Sequence, residues 1–184
     1  RMDTDAVAAD IQAHGFDLIV LPGGMPGTTN LKENEFVKAV CQQAAATGKL
    51  VPAICAAPSA LAAFGLLEGK KATAYPSFTD QLAGATVVKE PVVEDGDIIT
   101  GWGLGASIPF SLALVRRLCG ADAAEAGRQA IGYPYGFWSQ DTAFCAGRPR
   151  PALFLPCARL PAFFRPPVHT VFIAQALFAQ FQRR

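Results

Sequence analysis

The 184-residue sequence has few charged residues and only two histidines, and both shortages narrow the classes of protein to which it can belong. Charged residues make up 17% and hydrophobic residues 51% of the chain, which is typical of one packed α/β domain rather than of a disordered protein. The net charge is +1 and no basic cluster is flanked by aromatic residues, so we expect no nucleic-acid partner. His14 and His169 are interpreted as solvated or packing residues rather than catalytic bases.

Long hydrophobic runs are also missing. No apolar run reaches membrane-spanning length, and the first residues lack the basic-then-apolar pattern of a signal peptide. We therefore expect no membrane association and a cytoplasmic location. The five cysteines are an odd number and lack the paired spacing of zinc ligands, which argues against a disulfide framework or a metal site. The cysteines are expected to be reduced thiols.

Apolar segments and tight turns alternate along the first 130 residues. Strands are predicted at residues 16–21, 50–54, 71–74 and 86–89, with a hairpin of residues 92–94 and 97–100. Helices are predicted at residues 5–13, 55–65, 107–118 and 121–130, and a further helix runs from the cap Asn34 to the stop Gly48 with Cys41 in the core. Apolar strands that alternate with helices indicate an α/β fold whose largely parallel sheet is covered on both faces.

The end of the predicted strand 50–54 carries the most informative residue. Cys55 follows this strand directly, at a turn where a helix begins. A side chain at such a nucleophile elbow projects above the sheet, and the N-terminus of the helix favours a thiolate. Cys55 is therefore the predicted catalytic nucleophile, and the alternative is a small buried hydrophobic residue.

A second strand, 16–21, ends at the Gly23-Gly24 turn. Ligands of such sheets bind beyond the carboxyl ends of the strands, so this turn and Cys55 are expected at one edge. The backbone amides of Gly23, Gly24 and Ala56 are candidates to hold a developing oxyanion, as in acyl-transfer sites. The alternative is that the two glycines serve only the tight turn.

Four motifs in order resemble a known family. They are Leu-Pro-Gly-Gly at 21–24, Ala-Ile-Cys-Ala-Ala-Pro at 53–58, Ala-Thr-Ala-Tyr-Pro at 72–76 and Gly-Trp-Gly-Leu-Gly-Ala-Ser at 101–107. With these spacings they resemble the ThiJ/PfpI superfamily, and specifically its parkinsonism-associated deglycase branch. The resemblance implies a flavodoxin-like, class I glutamine amidotransferase-like sandwich, usually a homodimer, with a reactive cysteine and no cofactor. Activities reported in the family are glyoxal hydration, repair of early glycation adducts, chaperone action and oxidative-stress sensing.

Two positions depart from the family pattern. In the family a glutamate at the end of an upstream first strand hydrogen-bonds the cysteine. Only 22 residues precede Gly23 here, with no acidic residue at the end of an apolar strand, so the first strands and the glutamate are expected to be missing. Tyr75 stands where some members carry histidine, and a phenol with a reference pKa of about 10 cannot act as a base at neutral pH. Other branches place histidine directly after the cysteine, where this chain has Ala56, so neither a protease-like nor a glutaminase triad is supported.

The division of the chain follows from the resemblance. Residues 1–133 are expected to form a partial ThiJ/PfpI domain, and residues 134–184 an atypical tail with 7 of the 14 prolines and no lysine. Within this tail, residues 168–181 can form an amphipathic helix. Tyr75 and Trp102 are candidate pocket residues in the domain, although the favoured interpretation of Trp102 is that it covers the sheet.

The favoured hypothesis is a cysteine-dependent, cofactor-free enzyme that acts on reactive carbonyls. Its partners would be small reactive aldehydes or glycated proteins, and the Cys55 thiolate would add to the carbonyl to give a hemithioacetal. Two alternatives stay open. One is a non-catalytic redox-sensing or chaperone-like module in which Cys55 oxidises to the sulfinate. The other is an inactive truncated product.

Overall fold

The computed structural model describes residues 16–135, in which helices cover both faces of a small mixed sheet. In chain order the helices and strands are α1 (Gly27–Glu33), α2 (Glu35–Ala46), β1 (Val51–Ile54), α3 (Pro58–Ala63), β2 (Lys71–Ala72), β3 (Thr86–Val87), β4 (Val92–Asp95), β5 (Ile98–Gly101), α4 (Ser107–Cys119) and α5 (Ala121–Ala130). Short 3-10 helices occupy Pro76–Gln81 and Leu104–Ala106. The predicted α/β fold is confirmed.

The strands form two sheets. The first has the order β1–β5–β4, in which β1 and β5 are parallel and β4 and β5 form the predicted antiparallel hairpin. The second contains only the parallel pair β2 and β3, which are shorter than the predicted strands 71–74 and 86–89. Because β1 and β5 are parallel, Ile54 lies opposite Gly101 and the two chain segments leave the sheet at the same edge.

The segment before the Gly-Gly turn is less regular than predicted. It pairs in parallel with β1 through isolated bridges, at Leu18 and at Leu21, instead of forming a continuous strand. The amides of Ile19 and Leu21 donate to the carbonyls of Leu50 and Pro52, each at 2.9 Å. Pro52 has no N–H and therefore cannot supply the bond that would join these two bridges. The interruption is a local consequence of one proline in β1.

Two apolar clusters cover the two faces of the sheet. Alternate residues of the extended segment point to opposite faces, with Ile19 and Leu21 in one cluster and Leu18 and Val20 in the other. The first cluster includes residues of α2 and α3, among them Val37, Cys41, Ala60 and Leu61. The second includes residues of α4, among them Phe110 and Ala113. The prediction of a sheet covered on both faces is confirmed.

A single asparagine separates the first two helices. Asn34 ends α1 through its amide, which donates to the carbonyl of Leu31, and its side chain accepts the amide of Val37 at 3.0 Å to cap α2. The cap and the helix after it are confirmed. Helix α1 was not predicted, because its seven residues lack the repeating apolar face that marks a longer helix. Its first turn is held by Thr28, whose hydroxyl donates to the carbonyl of Gly24 at 3.0 Å.

Ion pairs fix the β4–β5 hairpin to α4. Arg116 pairs with Glu94, and Arg117 pairs with Asp97 at 3.2 Å and with Glu94 at 3.6 Å. These side chains are one fifth to one third exposed, so each pair contributes modestly. Together they attach the last turn of α4 to the β4–β5 hairpin near its turn.

Several predictions fall on residues outside 16–135. These are the helix at 5–13, the helix at 168–181, both histidines and the tail beyond Tyr135. None of the helices within 16–135 is both long enough and apolar enough to cross a membrane. The same residues contain no group of three or more His, Cys, Asp or Glu side chains that could hold a metal ion.

Candidate functional site

Cys55 lies on a strained turn between β1 and α3. Its φ of 65° is in the left-handed region, and among residues 16–135 it is the one non-glycine residue with a positive φ. This conformation costs a residue with a side chain about 1–2 kcal/mol, so neighbouring contacts must hold it. The amide of Cys55 donates to the carbonyl of Gly101, and its carbonyl accepts the amide of Tyr75, both at 2.9 Å. The elbow geometry predicted for Cys55 is present, and its side chain is partly exposed.

The Gly-Gly turn lies directly against this elbow. A Cβ atom on Gly23 would lie 2.6 Å from the Cβ of Cys55, 2.7 Å from the carbonyl oxygen of Ile54 and 2.9 Å from the amide nitrogen of Ala56. No side chain fits at such distances, so position 23 requires glycine. Gly24 has open space around it but a φ of 97°, which also favours glycine. The two glycines are therefore needed for different reasons.

Three amides beside the cysteine have no acceptor within the described part of the chain. The N–H groups of Gly23, Gly24 and Ala56, the predicted oxyanion donors, donate to no backbone or side-chain oxygen of residues 16–135. Helix α3 has only six residues and begins three residues after Cys55, so its dipole is small. Individual amides near Cys55, more than the helix as a whole, are thus available to stabilise negative charge at this turn.

Tyr75 and the turn after β5 form the other side of the site. A Cβ atom on Gly103 would lie 3.3 Å from Cδ2 of the Tyr75 ring and 3.9 Å from Sγ of Cys55. Tyr75 therefore lies near the thiol and is 47% exposed. Trp102 is 39% exposed, and its amide donates to the carbonyl of Pro91 at 2.9 Å, which attaches this turn to the start of β4. The structure thus brings together the turns that carry Cys55, Gly23, Tyr75 and Gly103.

Gly103 was not singled out in the sequence as a site residue. In the sequence it belongs to the Gly-Trp-Gly-Leu-Gly-Ala-Ser motif at 101–107, which carries part of the family resemblance. Glycine at alternate positions directly after a buried strand signals a close backbone approach, and that signal is what could have found it.

The other two described cysteines lack these features. Cys41 is buried in α2, and burial raises the pKa of its thiol to about 12, so it stays protonated at neutral pH. Its predicted place in the core is confirmed. Cys119 is exposed but is the last residue of α4, away from any strand-to-helix turn. Of these three cysteines, Cys55 has the surroundings of a reactive thiol.

The sheet is covered on both faces, and a cysteine lies in the left-handed conformation at a strand-to-helix turn. These features define the class as a flavodoxin-like α/β protein with an elbow cysteine. Comparison with known proteins identifies the family. The sequence matches the DJ-1/PfpI family over residues 1–117, and the chain belongs to this family. The expected resemblance to the ThiJ/PfpI superfamily and its DJ-1 branch is confirmed.

The relatives are similar over the same part of the chain. Protein DJ-1 homolog A of Arabidopsis thaliana is 44% identical over 128 residues, which are 68% of this chain and 33% of the plant protein. The crystal structure of Drosophila melanogaster DJ-1beta superposes with a TM-score of 0.64 at 35% identity, covering 70% of this chain and 68% of that one. An oxidised DJ-1 of Toxoplasma gondii superposes with a TM-score of 0.69 at 32% identity, covering 73% of each chain. The chain thus spans one third of the plant relative's length.

Two relatives carry an activity in their names. An isonitrile hydratase of Pseudomonas putida is 38% identical over 133 residues, which are 69% of this chain and 58% of that protein. The glutathione-independent glyoxalase DJR-1.2 of Caenorhabditis elegans is 30% identical over 124 residues, 66% of each. The family therefore includes enzymes of more than one reaction type.

Proposed function

We propose that this protein is a cysteine-dependent, cofactor-free enzyme that acts on reactive carbonyls, of the glyoxalase or deglycase type. The observation that carries the proposal is the strained Cys55 elbow with the amides of Gly24 and Ala56 beside it. The glyoxalase among the relatives supports the substrate class. A homodimer and a cytoplasmic location remain predictions, which sedimentation and cell fractionation would test.

The proposed reaction begins with the thiolate of Cys55. Sγ forms a bond to the aldehyde carbon, and the electron pair of the carbonyl double bond moves to the oxygen. The amides of Gly24 and Ala56 donate hydrogen bonds to this oxyanion, which is protonated to give the hemithioacetal. For methylglyoxal, a base then removes the proton from the carbon bonded to sulfur, and the electron pair moves through the C–C bond to the ketone oxygen, which gains a proton to form an enediol. A proton adds to the neighbouring carbon and the hydroxyl proton on the first carbon is lost, which gives the thioester of lactate. Water cleaves the thioester to lactate and the free thiol, with no external oxidant or reductant.

The proton transfer between the two carbons requires a base. The family resemblance assigns this role to a glutamate of the first strand, and Tyr75 is not proposed for it because a phenol is a poor acceptor at neutral pH. Measurable turnover of methylglyoxal by the 184-residue chain would therefore favour the enzyme over the inactive truncated product.

The test is methylglyoxal consumption by the wild-type chain and three variants. Cys55→Ser should abolish consumption, whereas Cys119→Ser, at an exposed position on α4, should retain it. Tyr75→Phe keeps the ring and should change the rate only slightly. Consumption that persists in Cys55→Ser would refute the proposal, and a large loss in Tyr75→Phe would assign Tyr75 a catalytic role.

A redox-sensing function is the second candidate, and the partial exposure of the Cys55 thiol favours it. Two molecules of hydrogen peroxide would convert the thiolate to the sulfinate and release two molecules of water. The amides of Gly24 and Ala56 would then hydrogen-bond the sulfinate oxygens. Peroxide-dependent gain of two oxygen atoms on Cys55, with altered association and no aldehyde turnover, would favour the sensor over the enzyme.

A further inference from the structure

Gly103 lies beside the thiol and leaves a small space there. The position that its Cβ would occupy is 3.9 Å from Sγ of Cys55, an ordinary van der Waals contact, and 3.3 Å from the Tyr75 ring, a tight one. Any side chain at position 103 would therefore contact the sulfur and press on the ring, and glycine leaves this approach to the thiol free of a side chain. We call this space the Gly103 recess.

The backbone of Gly103 does not itself require glycine. Its φ of 164° and ψ of −160° describe extended backbone that any residue adopts. This position differs from Gly24, whose φ of 97° is unfavourable for a side chain. The absence of a side chain at 103 therefore serves the close approach of the Tyr75 ring and the space beside the thiol, and not the path of the chain.

The walls of the recess are tied to one another. The amide of Cys55 bonds to the carbonyl of Gly101, the amide of Tyr75 to the carbonyl of Cys55, and the amide of Ala106 to the carbonyl of Gly103, all at 2.9 Å. These bonds connect the three turns through their main chains. The recess keeps its width unless the partly exposed Tyr75 ring turns outward.

We infer that Gly103 is a specificity-determining residue and that its recess receives the substituent next to the attacked aldehyde carbon. The inference rests on the proposed carbonyl chemistry of Cys55 and narrows the substrate class to small free aldehydes. The methyl group of methylglyoxal stands three bonds from sulfur in the adduct, and a side chain at 103, with its Cβ 3.9 Å from that sulfur, would compete with it for the same side of the thiol. A phenyl group in the same place requires Tyr75 to move.

The first test compares Gly103→Ala with Gly105→Ala in the 184-residue chain. Gly105 lies in the same turn, and a Cβ atom there would meet nothing within 4 Å, so it is the matched control. Gly103→Ala should lower kcat/KM for methylglyoxal relative to glyoxal by about tenfold or more, the usual effect of one methyl group in a filled pocket. Gly105→Ala should leave this ratio unchanged. Equal ratios in the two variants would overturn the inference.

The second test measures access to the Cys55 thiol through the recess and does not require turnover. Rates of Cys55 modification by iodoacetamide and by the bulkier N-phenylmaleimide are measured by peptide mass mapping. Gly103→Ala should slow the maleimide more than iodoacetamide, and Tyr75→Ala should do the opposite because it widens the recess. Tyr75→Ala also keeps the test decisive if Gly103→Ala does not fold, and an unchanged reagent ratio in Tyr75→Ala would overturn the inference.

The two tests separate the inference from the proposed function. If Cys55 modification depends on reagent size but no aldehyde is turned over, the proposed enzymatic function is refuted. The role of the Gly103 recess in limiting the size of groups that reach the thiol is then retained. If aldehydes are turned over but Gly103→Ala does not change the ratio of kcat/KM for methylglyoxal to that for glyoxal, the enzymatic function is retained and the role of Gly103 is refuted.

Discussion

Replacement of Gly23 by alanine should damage both the fold and the site, and the structure gives the size of the effect. The added methyl would lie 2.6–2.9 Å from three atoms, two of which are the backbone atoms Ile54 O and Ala56 N. Backbone atoms cannot turn away as a flexible side chain can, so the elbow must shift. Overpacking of this kind costs about 1–3 kcal/mol. For a chain of this length that lowers Tm by about 2–12 °C.

Thermal unfolding followed by circular dichroism measures the loss of stability, and the rate of iodoacetamide labelling of Cys55 measures the shift of the elbow. Gly24→Ala separates steric contact from strain. Its Cβ meets nothing within 4 Å, so its cost is the left-handed φ alone, about 1–2 kcal/mol. Gly23→Ala should change the labelling of Cys55, whereas Gly24→Ala should change it little. A Gly23→Ala variant with wild-type Tm and labelling rate would refute the close approach of the two turns.

The remaining predictions concern titrating groups and a helix cap. Cys41, with its pKa raised to about 12 by burial, should resist iodoacetamide in the native chain and react once urea unfolds it, and native labelling as fast as that of Cys55 would contradict this. Hydrogen bonds from Arg128 and Gln129 lower the pKa of Glu125 from 4.5 to about 2, so its stabilisation is present above about pH 4.5 and is lost as the pH falls through about 2. The difference in Tm between wild type and Glu125→Gln should therefore disappear toward pH 2, and a difference that persists there would refute the assignment. Asn34→Ala should lower stability by about 1 kcal/mol in urea unfolding, whereas Asn34→Ser should retain most of it because serine also caps helices.

Local signals in the sequence were sufficient for most of the fold. Asn34 marked the start of α2, the Asp95-Gly96 pair marked the hairpin, and the unbroken apolar run at residues 18–21 marked the extended segment before Gly23. Each of these signals acts over a few neighbouring residues, through a cap, a turn or the pleat of a strand. The position of Cys55 at a strand end was predictable for the same reason.

What the sequence did not show depends on contacts between distant segments. The broken pairing beside β1 arises because the N–H that Pro52 lacks is needed by residues more than thirty positions earlier. Helix α1 is held by its packing against α3 and by Thr28 more than by its own pattern. The role of Gly103 depends on the positions of Tyr75 and Cys55 beside it, which only the three-dimensional structure gives.

The site therefore depends on glycines that serve three different physical purposes. Gly23 removes a clash with the elbow, Gly24 permits a left-handed turn, and Gly103 leaves space beside the sulfur although its backbone would accept alanine. The first two can be explained by the fold alone, since replacement of either must cost stability. For Gly103 the extended backbone leaves two explanations, the tight approach of the Tyr75 ring and access to the thiol. A Gly103→Ala chain that unfolds at the wild-type temperature yet loses methylglyoxal relative to glyoxal would establish that difference, because a structural glycine cannot produce this result.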